Sequence, residues 1–201
     1  MMKELDLLKK DWKKDTNSFE QLSEGAIYKM IHKHSSSLVK WILIISILEF
    51  VVLNGIGLFI NDENLNKFLA LHPYLDILNY FNYAVVIGFI VVFYKKYRTI
   101  SALDSSKNLI EQIINTRKVV NYYILWNVLI GGFFGAFGAL DGFKDAYSKE
   151  NNLGNSPIQY WAILVIIPLI MLFIWGFYKL LYGSLLSKLN NNYKELIKID
   201  L

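Results

Sequence analysis

Glu49 is the side chain best placed to do chemistry, because it is the one acidic residue deep within a long apolar stretch of this chain. A charge at such a depth costs roughly 2.5 to 3.5 kcal/mol on membrane-insertion scales, so the carboxyl should face protein and take a partner. Ser46 shares its helical face. Counting inward along the third apolar stretch puts Asn127 at matching depth, and the expected contact is a Glu49–Asn127 hydrogen bond with Ser46 beside it. A bond that fixes helix packing is the plainer reading, and an ion or proton path through Glu49 and Asn127 is the alternative. Asn54, Asn79, Asn82 and Asn121 enlarge the polar set as further structural bonds.

Other chemistries find little footing. The histidines are His32, His34 and His72, with no HExxH spacing, and no Gly-rich phosphate loop ends in Lys-Ser or Lys-Thr. Cysteine is absent, which excludes disulfides, thiolate zinc sites and cysteine nucleophiles. No catalytic residue, metal or cofactor is expected, and the chain is not expected to be an enzyme.

The elements that must position Glu49 are four apolar stretches, residues 41–60, 76–94, 119–140 and 160–181. Each holds roughly 20 residues, enough at about 1.5 Å per residue to cross a ~30 Å hydrocarbon core. A soluble helical core seldom contains four such stretches. Eighteen of the basic residues fall in residues 1–40, in the connection 95–118 and near the C-terminus, against three in the other two connections. By the positive-inside rule both termini are cytoplasmic. That same division accounts for the net charge of +4, so nucleic acid is not an expected partner. Residues 41–60 read as an uncleaved signal anchor.

Outside the stretches, helical periodicity persists. In the N-terminal segment 1–40, Leu5, Leu8 and Trp12 form an apolar stripe among lysines, suited to a lipid surface or a soluble partner. Ile27, Met30, Ile31, His34 and Leu38 keep a helical period into the first stretch. Ile100, Leu103, Ile110, Ile113 and Ile114 do the same between the second and third, with a break expected at Asp104, Ser105 and Ser106. In the C-terminal segment 183–201, Leu185, Leu186, Leu189, Leu196 and Ile197 prolong the fourth helix, interrupted by Asn190, Asn191 and Asn192. The segments 61–75 and 141–158 read as short outer connections, the second a loop by composition.

Gly131, Gly135 and Ala139 form a small-residue stripe that permits close helix approach, within the chain by preference or in a second copy. Pro168 frees one carbonyl in the fourth helix. Tyr94, Tyr97, Tyr122, Tyr123, Tyr160, Trp161, Tyr178 and Tyr182 cluster near stretch ends and read as interfacial anchors.

LDLLKKDWKK from Leu5, AIYKMIHKHSSSLVKWILIISILEF from Ala26 and NLIEQIINTRKVVNYYI from Asn108 resemble a family of small bacterial inner-membrane proteins with four helices. Members often carry the label β-carotene oxygenase. Carotenoid oxygenases hold iron with four histidines on a soluble propeller, whereas this chain has three, set on two sides of a bilayer, so the label does not fit. Some members accompany sigma factors, which implies a membrane-bound regulator.

The expectation is thus an all-α membrane protein of four transmembrane helices with amphipathic cytoplasmic helical extensions. Membrane lipids are expected partners, and a soluble cytoplasmic protein and a second copy of the chain are candidates. The leading functional expectation is a regulatory or scaffold protein; the alternative is a small oligomeric transporter or channel using Glu49 and Asn127.

Overall fold

The computed structural model describes residues 23–59, 69–70, 72–103, 105–150 and 157–200, and is built on four long helices. These are α1 (Glu24–Phe59), α2 (Pro73–Ser101), α3 (Ser106–Glu150) and α4 (Pro157–Asp200). The stripe Leu5, Leu8 and Trp12, with Asp104, lies outside the described residues.

Local chemistry accounts for several helix ends. Ser23 caps α1, its Oγ accepting from the Ala26 amide at 3.3 Å. Pro73 and Pro157 open α2 and α4, where a missing N–H costs nothing. Ser105 opens α3, its carbonyl accepting from the Leu109 amide at 3.0 Å. α2 ends in a tightened turn, and His32 of α1 donates from Nε2 to the Ile100 carbonyl there at 2.6 Å.

Helices of 36, 29, 45 and 44 residues run about 43 to 68 Å, longer than the ~30 Å a hydrocarbon core requires. Each is long and apolar enough to cross a membrane. Neighbours in the chain are neighbours in space: α1 packs on α2, α2 on α3, α3 most extensively on α4, and α4 closes back on α1. Short connections make adjacent helices antiparallel, so the start of α1, the end of α2, the start of α3 and the end of α4 share one end of the bundle.

Two buried cores follow one another along the axis. The one nearer the termini joins Ile31, Leu38, Ile100, Leu109, Ile113, Leu189 and Leu196. The next joins Ile42, Val86, Phe93, Val120, Tyr123, Val128, Tyr178 and Tyr182. Outward faces differ between the levels. Around the second core and beyond it, Trp41, Val51, Ile77, Phe81, Leu125, Leu129, Leu172, Phe173 and Leu180 are exposed. Around the first, Lys29, Lys33, Arg98, Glu111, Lys118, Lys188 and Lys194 are exposed. An apolar exterior around one level and a charged exterior around the next is the pattern of a bundle that leaves a bilayer partway along its length.

Three expectations need correction. Asn190, Asn191 and Asn192 do not interrupt α4, which runs unbroken through them to Asp200. Asn192 is buried, its Nδ2 donating to Ser35 Oγ at 2.8 Å while its Oδ1 accepts from His34 Nδ1 at 3.1 Å, so partners across the bundle replace the local bonds by which asparagine breaks helices. Nor do residues 141–150 form a loop: α3 continues to Glu150. Finally, α2 begins at Pro73, three residues before the apolar stretch, because proline is already set for a first turn.

Candidate functional site

Glu49 faces the interior of the bundle, where α4 presents two hydroxyls one turn apart. Tyr178 Oη donates to Glu49 Oε1, and Tyr182 Oη donates to Oε2 at 3.0 Å. Tyr123 of α3 lines the same pocket as Glu49 and Asn127. These rings stack as well as bond. Tyr123, 1 % exposed, meets Phe89 at 5.4 Å, Phe93 at 5.5 Å, Tyr182 at 5.9 Å and Tyr178 at 6.1 Å between centroids, two rings from α2 and two from α4. Edge-to-face contacts of this kind make a rigid floor beneath the carboxylate on the side of the termini.

On its other side Glu49 borders a cavity of about 240 Å³, lined also by Asn54, Asn79, Asn82, Tyr83, Tyr123 and Asn127. Asn54 and Asn79 carry it away from the termini. The asparagines are oriented by the protein. Asn54 Nδ2 donates to the Phe50 carbonyl at 2.6 Å, Asn79 Nδ2 to Tyr83 Oη at 3.1 Å and Asn127 Nδ2 to the Tyr123 carbonyl at 2.8 Å. Asn82 differs, its Oδ1 accepting from Trp126 Nε1 at 2.9 Å. Three of the four carboxamides therefore spend a donor on the protein while lining a cavity beside a carboxylate. Such a cavity suits a cation or a ligand rich in N–H groups.

The expected Glu49–Asn127 bond gives way to a different arrangement. Both residues line the same cavity, so the matched depth is real, but Glu49 takes its hydrogen bonds from the tyrosines and Asn127 bonds its own helix. A phenol reaches farther across a bundle than a carboxamide, which is why α4 supplies the partners. Ser46 is fully buried one turn from Glu49 and donates to the Leu43 carbonyl at 2.8 Å.

Tyr123, Tyr178 and Tyr182 are buried rather than interfacial, in contrast to the exposed Tyr94, Tyr122 and Trp161. The sequence held a signal for two of them. Tyr178 and Tyr182 continue the stripe Leu185, Leu189, Asn192 and Leu196 at alternating spacings of four and three, the buried face of α4. In the same way Ser46 and Glu49 extend Ile31, Ser35, Leu38 and Ile42 on α1.

The glycine stripe of α3 meets α4 within the chain. A Cβ at Gly131 would lie 2.6 Å from Ile174 Cδ1, one at Gly132 2.6 Å from Met171 Cγ, and one at Gly135 3.3 Å from Ile170 Cγ2. Ala139 sits half-buried one turn beyond. Among the described residues no cluster of His, Cys, Asp and Glu has the composition to hold a metal ion.

A family model described as a domain of unknown function (DUF8845) matches residues 25–201, which takes in all four helices and the Glu49 site. The chain belongs to this family. No curated protein and no solved structure matches the chain. Membership in DUF8845 brings no assigned residues, so the chemistry of the site rests on its own geometry.

Proposed function

We propose that this chain is a non-enzymatic, multi-pass protein of a bacterial inner (cytoplasmic) membrane, with both termini cytoplasmic, that binds a small cation at Glu49 during a transport step. One observation carries the reading: Glu49 lines a polar cavity together with Asn54, Asn79 and Asn127, each of which donates from Nδ2 to the protein. An ionisable side chain inside a membrane bundle, with polar space beside it, is where ion paths are built. The apolar outward belt supports membrane embedding, and eighteen basic residues against three support the orientation. The four-helix inner-membrane resemblance supports the bacterial source.

Reconstituted protein tests this. Saturable uptake of Na⁺, K⁺ or ammonium into vesicles is expected, and Glu49→Gln should abolish it while the variant remains folded. Wild type indifferent to all three cations, with Glu49→Gln altering only thermal stability, would return Glu49 to a packing role.

A second reading, a regulator or scaffold that presents residues 1–40 and 98–117 to a soluble, sigma-factor-associated partner, draws on a separate feature. The core nearer the termini is closed by its own bonds, among them Arg117 Nη1 to Asn190 Oδ1 at 2.7 Å and Lys96 Nζ to Gln112 Oε1 at 3.0 Å, so that face is preformed. Leu8→Ser with Trp12→Ser should abolish capture of the partner and leave membrane insertion intact. Loss of anionic-vesicle binding instead would assign the segment to lipid.

A further inference from the structure

The seam between α3 and α4 carries a second cavity, larger than the first and open to the outside of the bundle. It measures about 460 Å³ and is lined by Asn121, Ile124, Leu125 and Val128 of α3 and by Trp175, Lys179, Gly183 and Leu186 of α4. Its volume falls in the ~300–1,000 Å³ range of small-molecule sites. Toward the termini lie Asn121, Gly183 and Leu186, and one further turn along the same seam Arg117 bonds Asn190 at 2.7 Å. Toward the middle of the bundle lie Leu125 and Trp175, within the exposed apolar belt, with the buried Val128 between the helices.

Lys179 is the odd residue of that belt. It is exposed among Leu172, Phe173, Trp175 and Leu180, and its Nζ rests 4.6 Å from the centroid of the Trp175 ring. A cation–π contact compensates an ammonium only in part, and an ammonium at the edge of hydrocarbon attracts an anion. Gly183, one turn along α4, leaves space beside the lysine stem, since its neighbour there is Lys179 Cγ at 3.5 Å from where a Cβ would stand. Lys118, exposed three residues before Asn121 and so one helical turn from it on α3, is a second cation on the side of the termini.

We propose that this groove binds one anionic phospholipid from the leaflet on the side of the termini. The phosphate meets Lys179, with Lys118 and the Asn121 carboxamide around it. One acyl chain lies along Leu125, Val128 and Trp175. The proposal shares with the transport reading only the membrane setting, and makes no use of Glu49.

Native mass spectrometry of delipidated protein in mild detergent tests it, with phosphatidylglycerol as probe and phosphatidylcholine as the zwitterionic control. Wild type should hold one phosphatidylglycerol in preference to phosphatidylcholine. A basic residue near a lipid surface is worth about fivefold in affinity, so Lys179→Gln should weaken phosphatidylglycerol by about that factor or more. Lys179→Arg should retain it, which separates charge from folding. Glu49→Gln should leave it unchanged, so failure of the cation reading and failure of this one stay distinguishable. Equal binding of the two lipids, no change in Lys179→Gln, displacement by millimolar inorganic phosphate, or a dimer that excludes lipid from Trp175 would each overturn the proposal.

Discussion

Tyr182 of α4 donates to the Glu49 carboxylate of α1 over 3.0 Å, although 133 residues separate them in the chain. With Tyr178 donating to the other oxygen, the two phenols grip the carboxylate from one face of one helix, and the first and last helices are tied together at mid-bundle. Removing one donor leaves a buried carboxylate oxygen short of a partner. Tyr182→Phe should therefore cost about 1–2 kcal/mol, measured by unfolding in mixed micelles. Glu49→Leu should cost a similar amount, and adding Tyr178→Phe and Tyr182→Phe to it should recover part of the loss, because hydroxyls without an acceptor are then removed too.

Close approach of α3 and α4 makes a graded prediction along one stripe. A Cβ at Gly132 would meet the middle of the Met171 side chain, whereas one at Gly131 would meet only the flexible end of Ile174, and Gly138 has nothing within 4 Å. Gly132→Leu should destabilise by about 1–3 kcal/mol through overpacking. Gly131→Ala should cost less, and Gly138→Ala should be neutral or slightly stabilising because alanine favours helix over glycine. An equal effect at all three positions would show that helix propensity, not packing, governs the stripe.

Helix number and the continuation of the helices beyond the apolar stretches were legible, because they follow from length and from a period that survives where the hydrophobicity stops. Ile31, Leu38, Ile113 and Leu189, read as one face of each extension, are indeed where the core nearer the termini forms. What was not legible turned on azimuth. Tyr178 and Tyr122 both lie near stretch ends, where the interface accounts for either, yet one is buried on Glu49 and the other points outward. Depth matching correctly drew Asn127 to the level of Glu49, but depth does not say which of several helices at that level turns a donor inward. Asn192 misled for a related reason: its local tendency to break a helix is overridden by Ser35 and His34, which are distant in sequence.

That override is measurable. Asn192→Ala leaves Ser35 Oγ, fully buried, without its donor and removes the acceptor for His34 Nδ1, so a loss of about 1–3 kcal/mol is expected. Ser35→Ala should cost less, and Ser35→Ala with Asn192→Ala should cost less than the two losses added, since one bond is shared. Additive losses would mean that the two residues act independently.

The orientation in the membrane bears on both ends of the bundle at once. Basic residues number eighteen on the side of the termini and three on the other, a bias that the positive-inside rule translates into cytoplasmic termini. With the proposed cytoplasmic termini, the Glu49 cavity, which extends toward Asn54 and Asn79, would face the outside, with Tyr123, Tyr178 and Tyr182 packed on its cytoplasmic side. A reporter fused after residue 201 should then be active only as a cytoplasmic reporter, and one inserted after Gly154 only as an external one. A cysteine placed at Asn54 should label with a membrane-impermeant maleimide added to intact cells, and one placed at Ser187, exposed near the end of α4, should label only after the membrane is opened. The engineered cysteines carry no background, because the chain has none of its own. The opposite labelling pattern would invert the bundle and make the cavity a cytoplasmic entrance.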